Sequence, residues 1–381
     1  MINFPIGFHN FHENEAINFQ MNRWYSSGCI CYDELMAVGK KIQSFKDWTE
    51  EFCALAEQAR ERGDLIACAT YLRAAQFFTL GETKDENGKL LKISLYEKCM
   101  AAYEQAYMEE GLEYVRIPYG DGYLPVLYRL HKQGAKGTVV MHGGYDSFVQ
   151  EFVPYFNFTY ERGFDVYMFE GFGQGEVLNR CGIKMTPNWE KCIAPILDHF
   201  GLDDVTLIGI SLGGFLAARA AAFEPRIKRV VLYDIIYDFY GSLMAKSSLS
   251  KRFMMKCLLK YENSFLWPML EKKIKENFFA NWLLQQGCYV FGVLNLPQYL
   301  NHIKVYNTRE ISRLITQDVL LLAGADDLYT IYFDEQKQAL TAARSVEGRI
   351  FTREESASHH CQVGNLGLAL GYIFDWVERK Q

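Results

Sequence analysis

Hydrophobic residues recur at three- and four-residue steps through roughly the first 110 positions. This spacing places apolar side chains on one face of an α-helix. The clearest example runs from Trp48 to Arg62, where the apolar positions are Trp48, Phe52, Leu55, Ala56 and Ala59. We therefore predict an N-terminal helical domain over residues 1–112.

Local capping signals mark the ends of the predicted helices. Asp64 is typical of an N-cap and precedes a helix that we expect from about Leu65 to Leu80. Gly81 is expected to end that helix. Another helix is predicted to run to about Glu110 and to stop at Gly111.

The hydrophobic period changes after Gly111. Residues 113–118 and 123–130 alternate like antiparallel strands around the turn at residues 119–122. Short β-rich apolar runs then follow, separated by helical stretches: Gly137–Met141, Phe164–Phe169, Val205–Ile210, Arg229–Tyr233, Val319–Leu322 and Arg349–Phe351. Strands that alternate with helices predict an α/β fold with a mostly parallel sheet covered on both faces.

One interval is too long for a crossover between neighbouring strands. About 85 residues separate Tyr233 from Val319, and they have helical spacing and many aromatic side chains. We predict a helical cap at about residues 235–312, inserted in a catalytic domain at 113–381. The aromatic residues favour an apolar or aromatic substrate, and packing within the cap's own core is the open alternative.

Composition and charge narrow the range of partners. Hydrophobic residues make up 49% and charged residues 23%, as in ordinary globular proteins. The net charge of −6 and the pI of about 5.8 disfavour nucleic acid. The most basic stretch, residues 271–276, is bracketed by glutamates, and no apolar run approaches the roughly 20 residues that span a bilayer. We therefore expect a small-molecule substrate, with neither nucleic acid nor membrane as a partner.

The ten cysteines and the N-terminus suggest a cytoplasmic protein. The cysteines form no CxxC pair, and the N-terminus lacks the charged and apolar regions of a signal peptide. Cys29 and Cys31 lack a second pair or a nearby histidine that would complete a metal site. Residues 169–176 are glycine-rich but do not match the spacing of a nucleotide-binding loop. We expect no metal and no cofactor.

A strand, a serine flanked by glycines and an Ala-rich helix follow one another at residues 205–219. Gly209, Ser211 and Gly213 fit the G-x-S-x-G pattern of a nucleophile elbow, whose tight turn leaves no room for side chains at the glycine positions. The N-terminus of the following helix favours developing negative charge. The pattern predicts Ser211 as a nucleophile.

An earlier strand ends in His142-Gly143-Gly144. Glycines at a strand end allow backbone N–H groups to approach a substrate oxygen. We expect an oxyanion hole formed by the N–H of Leu212 and that of Gly144, with Tyr145 as the alternative to Gly144.

The acid and the base of a triad should follow late strands of the sheet. Asp327 lies three residues after Gly324, at the end of an apolar strand, and the G-x-x-D spacing favours it over Asp326. Asp234, after the strand at 229–233, is a competitor. The pattern of the residues does not choose between the two candidate bases, His359 and His360.

Several of these segments together resemble the α/β-hydrolases, and in particular the group that contains 2,6-dihydroxypseudooxynicotine hydrolase, fungal polyketide-shortening hydrolases and the fermentation–respiration switch protein. The segments that carry the resemblance are residues 115–119, 142–147, 169–176, 209–213 and 360–362. The group has a histidine followed by cysteine, which matches His360-Cys361 and selects His360. His359 and Phe172 stand where the group usually has glutamate and proline.

The resemblance implies a serine hydrolase whose N-terminal helices and cap close over the site. Some relatives cleave C–C bonds next to a ketone, and others are peptidases or esterases. Acylaminoacyl peptidases share the catalytic core but carry a β-propeller, for which 112 helical residues are too few.

Our first hypothesis is hydrolysis of an ester, an amide or an activated C–C bond by Ser211, His360 and Asp327. The alternatives are an acylaminoacyl or dipeptidyl peptidase-like enzyme and a non-catalytic regulatory binding protein on the same fold. The substrate, the pathway, movement of the cap and the oligomeric state, including a homodimer, stay open.

Overall fold

The computed structural model describes residues 3–79, 82–108 and 111–381. Its N-terminal part consists of helices α1 (Glu15–Ser26), α2 (Tyr32–Gly39), α3 (Phe45–Glu61), α4 (Leu65–Phe77) and α5 (Leu91–Tyr107). Asp64 caps α4 as expected, because its side chain accepts the N–H of Ala67 at 3.1 Å. The predicted ends at Leu80, Gly81 and Glu110 lie outside the described residues.

An eight-stranded sheet follows these helices. Its strands are β1 (Glu113–Tyr119), β2 (Gly122–Arg129), β3 (Thr138–His142), β4 (Asp165–Phe169), β5 (Val205–Ile210), β6 (Ile227–Tyr233), β7 (Asp318–Gly324) and β8 (Ser345–Phe351). The strand order is β1-β2-β4-β3-β5-β6-β7-β8, and all pairs from β4 to β8 are parallel. β1 and β2 form the predicted antiparallel hairpin. The predicted α/β fold class is confirmed.

Helices cover the sheet and form an insertion between β6 and β7. The helices before the insertion are α6 (Val153–Glu161), α7 (Gly175–Asn179), α8 (Glu190–Phe200) and α9 (Gly213–Phe223). The inserted cap contains α10 (Phe239–Met244), α11 (Leu249–Leu258), α12 (Leu266–Lys275), α13 (Phe278–Phe291) and α14 (Leu296–Ile303). The last two helices are α15 (Phe333–Ala339) and α16 (Leu366–Arg379). No helix within the described ranges is long and apolar enough to cross a membrane.

The N-terminal helices contact both the loop after β3 and the cap. Arg23 in α1 forms an ion pair with Asp146 at 2.8 Å. On the other side, the ring of Phe77 in α4 stacks on Trp282 of α13, with ring centroids 4.6 Å apart. The N-terminal helices therefore contact two sides of the region above the carboxyl ends of the strands, namely the loop after β3 and the cap.

Candidate active site

Ser211 lies at a sharp turn between β5 and α9. Its φ of +64° is in the left-handed region, which non-glycine residues adopt rarely. A Cβ at Gly209 would lie 2.0 Å from the carbonyl oxygen of Gly213, and a Cβ at Gly213 would lie 2.8 Å from that of Gly143. The two glycines are therefore required by close backbone contacts on both sides of the serine.

Three side chains form a continuous hydrogen-bonded chain at this turn. His360 Nε2 lies 2.8 Å from Ser211 Oγ, and His360 Nδ1 lies 2.6 Å from Asp327 Oδ2. Burial by itself lowers the pKa of His360, but the adjacent Asp327 carboxylate raises it well above its ordinary value. Burial likewise opposes ionisation of Asp327, and His360 nevertheless keeps the pKa of this carboxyl below its ordinary value.

The neighbouring candidates for acid and base have other partners. Asp326 forms a two-bond ion pair with Arg353, with N–O distances of 2.7 and 2.5 Å. His359 stacks on Phe8, with ring centroids 3.7 Å apart. The structure therefore places Asp327 and His360, rather than Asp326 and His359, next to Ser211.

Asp234, the third candidate acid, also lies beside His360. Its buried carboxylate accepts the backbone N–H of Cys361 at 2.8 Å and the side-chain amide of Gln362 at 2.9 Å. Burial, and then repulsion by Asp327, raise the pKa of Asp234 well above its ordinary value. The atoms of Asp234, His360 and Cys361 that could bind a metal ion lie within 4.8 Å of one another. The carboxylate of Asp234 is, however, already hydrogen-bonded to Cys361 and Gln362, and His360 Nδ1 is hydrogen-bonded to Asp327.

The loop after β3 differs in one respect from the sequence prediction. The N–H of Gly144, our expected oxyanion donor, donates instead to Ser147 Oγ at 2.8 Å. The side-chain amide of Gln174 donates to the carbonyl oxygens of Gly143 and Gly144 at 2.7 and 2.9 Å. Because C=O and N–H point in opposite directions across a trans peptide, the fixed carbonyl of Gly144 turns the N–H of Tyr145 away from Gln174.

Gly144 packs tightly against the start of α9. A Cβ at Gly144 would lie 2.7 Å from the backbone nitrogen of Leu212, the residue that precedes α9. Within the described ranges, the N–H groups of Leu212 and Tyr145 have no protein acceptor. Unpaired N–H groups at a helix N-terminus are suited to binding an anion.

The glycine-rich segment at residues 169–176 supports this loop, a role that sequence reasoning missed. Besides Gln174, it contributes Glu170, which accepts the N–H groups of Val149 and Glu176 at 2.8 and 2.6 Å. Burial raises the pKa of Glu170 to about 7. A Cβ at Gly175 would lie 1.9 Å from the Glu170 carboxylate. The glycine is thus explained by packing against a buried side chain.

A cavity of about 1230 Å³ opens above Ser211. Its Phe, Tyr and Trp lining comes from the N-terminal segment, the cap and the loops after β3 and β7: Phe8, Phe19, Tyr145, Phe239, Phe278, Phe279, Trp282 and Tyr329. Arg23, Asp146 and Lys246 are among its charged lining residues. Other cap aromatics, such as Phe291, pack inside the protein. The cap aromatics therefore serve both as cavity wall and as core.

The sequence matches a family model described as the alpha/beta hydrolase fold over residues 139–339. This match covers more than half of the chain, so the protein belongs to the α/β-hydrolase family. Curated relatives carry hydrolase names. Hydrolase acrC of Aspergillus aculeatus is 28% identical over 331 residues, which cover 74% of this chain and 74% of that protein. The protein is accordingly a hydrolase.

Two further similarities extend over most of the chain. The 20-hydroxy-prefusarin hydrolase FUS2 of Gibberella moniliformis is 27% identical over 372 residues, covering 88% of this chain and 86% of that protein. The crystal structure of the 2,6-dihydroxy-pseudo-oxynicotine hydrolase superposes with a TM-score of 0.65 and 19% identity, covering 94% of this chain and 95% of that one. At that identity, the structural similarity supports the fold.

Proposed function

We propose that this protein is a serine hydrolase in which Ser211 is the nucleophile, His360 the general base and Asp327 the group that orients His360. The observation that carries the proposal is the hydrogen-bonded chain from Ser211 Oγ through both ring nitrogens of His360 to Asp327. This arrangement has the geometry that nucleophilic catalysis by a serine requires.

In the proposed mechanism, His360 takes the proton of Ser211 as Oγ attacks the substrate carbonyl. The negative charge that develops on the carbonyl oxygen is held by the N–H groups of Leu212 and Tyr145. His360 then gives its proton to the leaving group, which is an alcohol, an amine or the carbanion from an activated C–C bond. Water, activated by His360, releases the acyl group from Ser211.

The aromatic lining of the cavity supports a small apolar or aromatic substrate that carries an ester, an amide or a ketone. Large apolar surfaces with a few polar groups are typical of sites that bind such ligands. The name of the FUS2 relative gives 20-hydroxy-prefusarin as its substrate. This agrees with a small-molecule substrate for the present protein. We keep cytoplasmic location as a prediction from the sequence.

The test is covalent labelling of the pure protein with a fluorophosphonate, followed by intact-mass measurement. We expect one adduct on the wild type and none on Ser211→Ala. Ser356→Ala is the matched control, because Ser356 also lines the cavity but is not part of the hydrogen-bonded chain. It should label like the wild type.

Labelling of Ser211→Ala at the wild-type rate would contradict the assignment of the nucleophile. A folded wild type that takes no adduct and hydrolyses no ester would favour the non-catalytic binding protein instead.

A further inference from the structure

Helix α11 of the cap is apolar on two faces. One face packs inward through Met255, Leu258 and Leu259. The opposite face presents Leu249 and Phe253, which are 81% and 69% exposed. Residues four positions apart lie on the same side of a helix, so these two side chains form an exposed pair. An outward-facing apolar pair on a surface helix has no role in the helix's own packing.

Helix α12 and the residue before it repeat this arrangement. Trp267, Leu270 and Ile274 pack inward, while Phe265 and Met269 are 79% and 66% exposed. Five of the eight large apolar side chains that are more than 60% exposed among the described residues lie between positions 249 and 269. Such a concentration of exposed apolar side chains is typical of an interaction site.

The same segment is strongly basic in an acidic protein. Residues 246–276 carry eight Lys or Arg and three Glu, a formal charge of +5, whereas the whole chain has −6. The eight cations are Lys246, Lys251, Arg252, Lys256, Lys260, Lys272, Lys273 and Lys275, and all are exposed. Within the described ranges, none of them forms an ion pair with a carboxylate. Their charge is therefore available to an external anionic partner.

The segment borders the active-site cavity. Lys246 and Asn277, which immediately flank residues 247–276, both line that cavity. A partner that binds the outer side of α11 and α12 would consequently lie next to the wall of the cavity.

We propose that the exposed side chains of α11 and α12 (Leu249, Phe253, Phe265, Met269 and the lysines of residues 246–276, together called the cap face) dock on an anionic lipid surface. Apolar side chains interleaved with lysines on exposed helices are the features by which helices bind at a membrane interface. A symmetric contact with a second copy would bring two sets of cations together, which is unfavourable. The proposal replaces our sequence expectation of no membrane partner, which rested on the absence of a spanning segment.

The test is co-sedimentation of the full chain with vesicles of phosphatidylcholine alone and of phosphatidylcholine with phosphatidylglycerol. We expect binding to the anionic vesicles only, weakened when the ionic strength rises from about 0.1 M to about 0.5 M. The double variant Phe253→Ser/Phe265→Ser should bind about tenfold more weakly, because it removes an apolar anchor from each helix. Lys256→Glu/Lys272→Glu should also bind more weakly, because it reverses two positive charges while the exposed apolar side chains are kept.

Met108→Ser is the matched control, since Met108 is a 76% exposed methionine outside the cap. It should bind like the wild type. Binding is measured without turnover and can be repeated with Ser211→Ala, so it is independent of the proposed catalytic function. Circular dichroism and thermal melting check that each variant is folded.

Three results would overturn the proposal: no binding to anionic vesicles, equal binding by the Phe253→Ser/Phe265→Ser variant, or a wild-type dimer that this variant converts to monomer. The last result would identify a second copy of the chain as the partner of the cap face.

Discussion

The carboxylate of Asp234 lies 3.5 Å from Nδ1 of His360. The same nitrogen lies 2.6 Å from Asp327, so two buried carboxylates converge on one imidazole. Their pKa values move apart: burial and the neighbouring charge raise that of Asp234, whereas His360 lowers that of Asp327 despite burial. Asp327 is therefore the carboxyl that ionises more readily, and Asp234 is the one that keeps its proton to higher pH.

The opposite pKa shifts of Asp234 and Asp327 predict different effects of Asp234→Asn and Asp327→Asn on kcat. Asp327→Asn should lower kcat by about 10³- to 10⁴-fold, because the neutral amide neither stabilises the imidazolium nor fixes its tautomer. Asp234→Asn should lower kcat less than about tenfold, because Asp234 lies farther from His360 Nδ1 than Asp327 does and the amide oxygen still accepts one N–H group. Steady-state kinetics on a chromogenic ester provide the measurement. The opposite order would identify Asp234 as the orienting acid.

The pH dependence of kcat/KM should show the effect of the negative charge of Asp327 on the pKa of His360. His360 acts as a base only when neutral, and its pKa is raised above the ordinary 6.5 by Asp327. We therefore expect kcat/KM to rise with pH as His360 loses its proton, and the midpoint of this acidic limb should lie above about pH 6.5. Asp327→Asn removes the anion, so the limb should move to lower pH.

Asp326→Asn is the control for this shift. Asp326 is bound to Arg353 rather than to His360, so its substitution should leave the acidic limb in place. An unchanged limb in Asp327→Asn, or an equal shift in Asp326→Asn, would contradict the proposed coupling.

Much of this architecture could be predicted from the sequence because it depends on local patterns. The nucleophile turn requires glycines at 209 and 213, and short apolar runs mark the buried strands. The family resemblance selects His360 over His359, and the G-x-x-D spacing favours Asp327 over Asp326. In the structure, Asp327 contacts His360. The sequence leaves Asp234 as an open alternative, because its distance to His360 depends on how β6 and β7 pair.

The loop after β3 shows what local patterns cannot reveal. The sequence predicts the N–H of Gly144 as an oxyanion donor, but in the structure this N–H donates to Ser147 Oγ, a contact that depends on how the loop folds back. Gln174 comes from a different loop, 30 positions along the chain. The sequence around Gln174 gives no indication that it binds the loop after β3, apart from the neighbouring glycines.

Gln174 should therefore be a positioning residue for the oxyanion hole. Gln174→Ala removes the donor to the carbonyl of Gly144, so the N–H of Tyr145 loses its fixed direction. The carbonyl of Gly143 keeps its hydrogen bond with His142 Nδ1. We expect kcat and the fluorophosphonate labelling rate to fall about 10²-fold, as for loss of one oxyanion donor, with KM changed less than about twofold.

Gln317→Ala is the matched control for Gln174→Ala. Gln317 is also buried, and its side-chain amide donates to the carbonyl of Ala221 at 2.8 Å. Both variants should lose similar stability in urea, but only Gln174→Ala should lose activity. An equal loss of activity in both would show that Gln174 contributes only to folding.

The aromatic wall of the cavity should select for aryl acyl groups. Phe279 lines the cavity and is 43% exposed, so Phe279→Ala removes apolar contact area at modest cost to the fold. We expect KM for the p-nitrophenyl ester of phenylacetic acid to rise about tenfold, and KM for p-nitrophenyl acetate to change less than about twofold. Phe223→Ala is the control, because Phe223 is 45% exposed at the end of α9 and packs on Arg219. If Phe279→Ala affected the two esters equally, Phe279 would serve the packing of the cap rather than substrate choice.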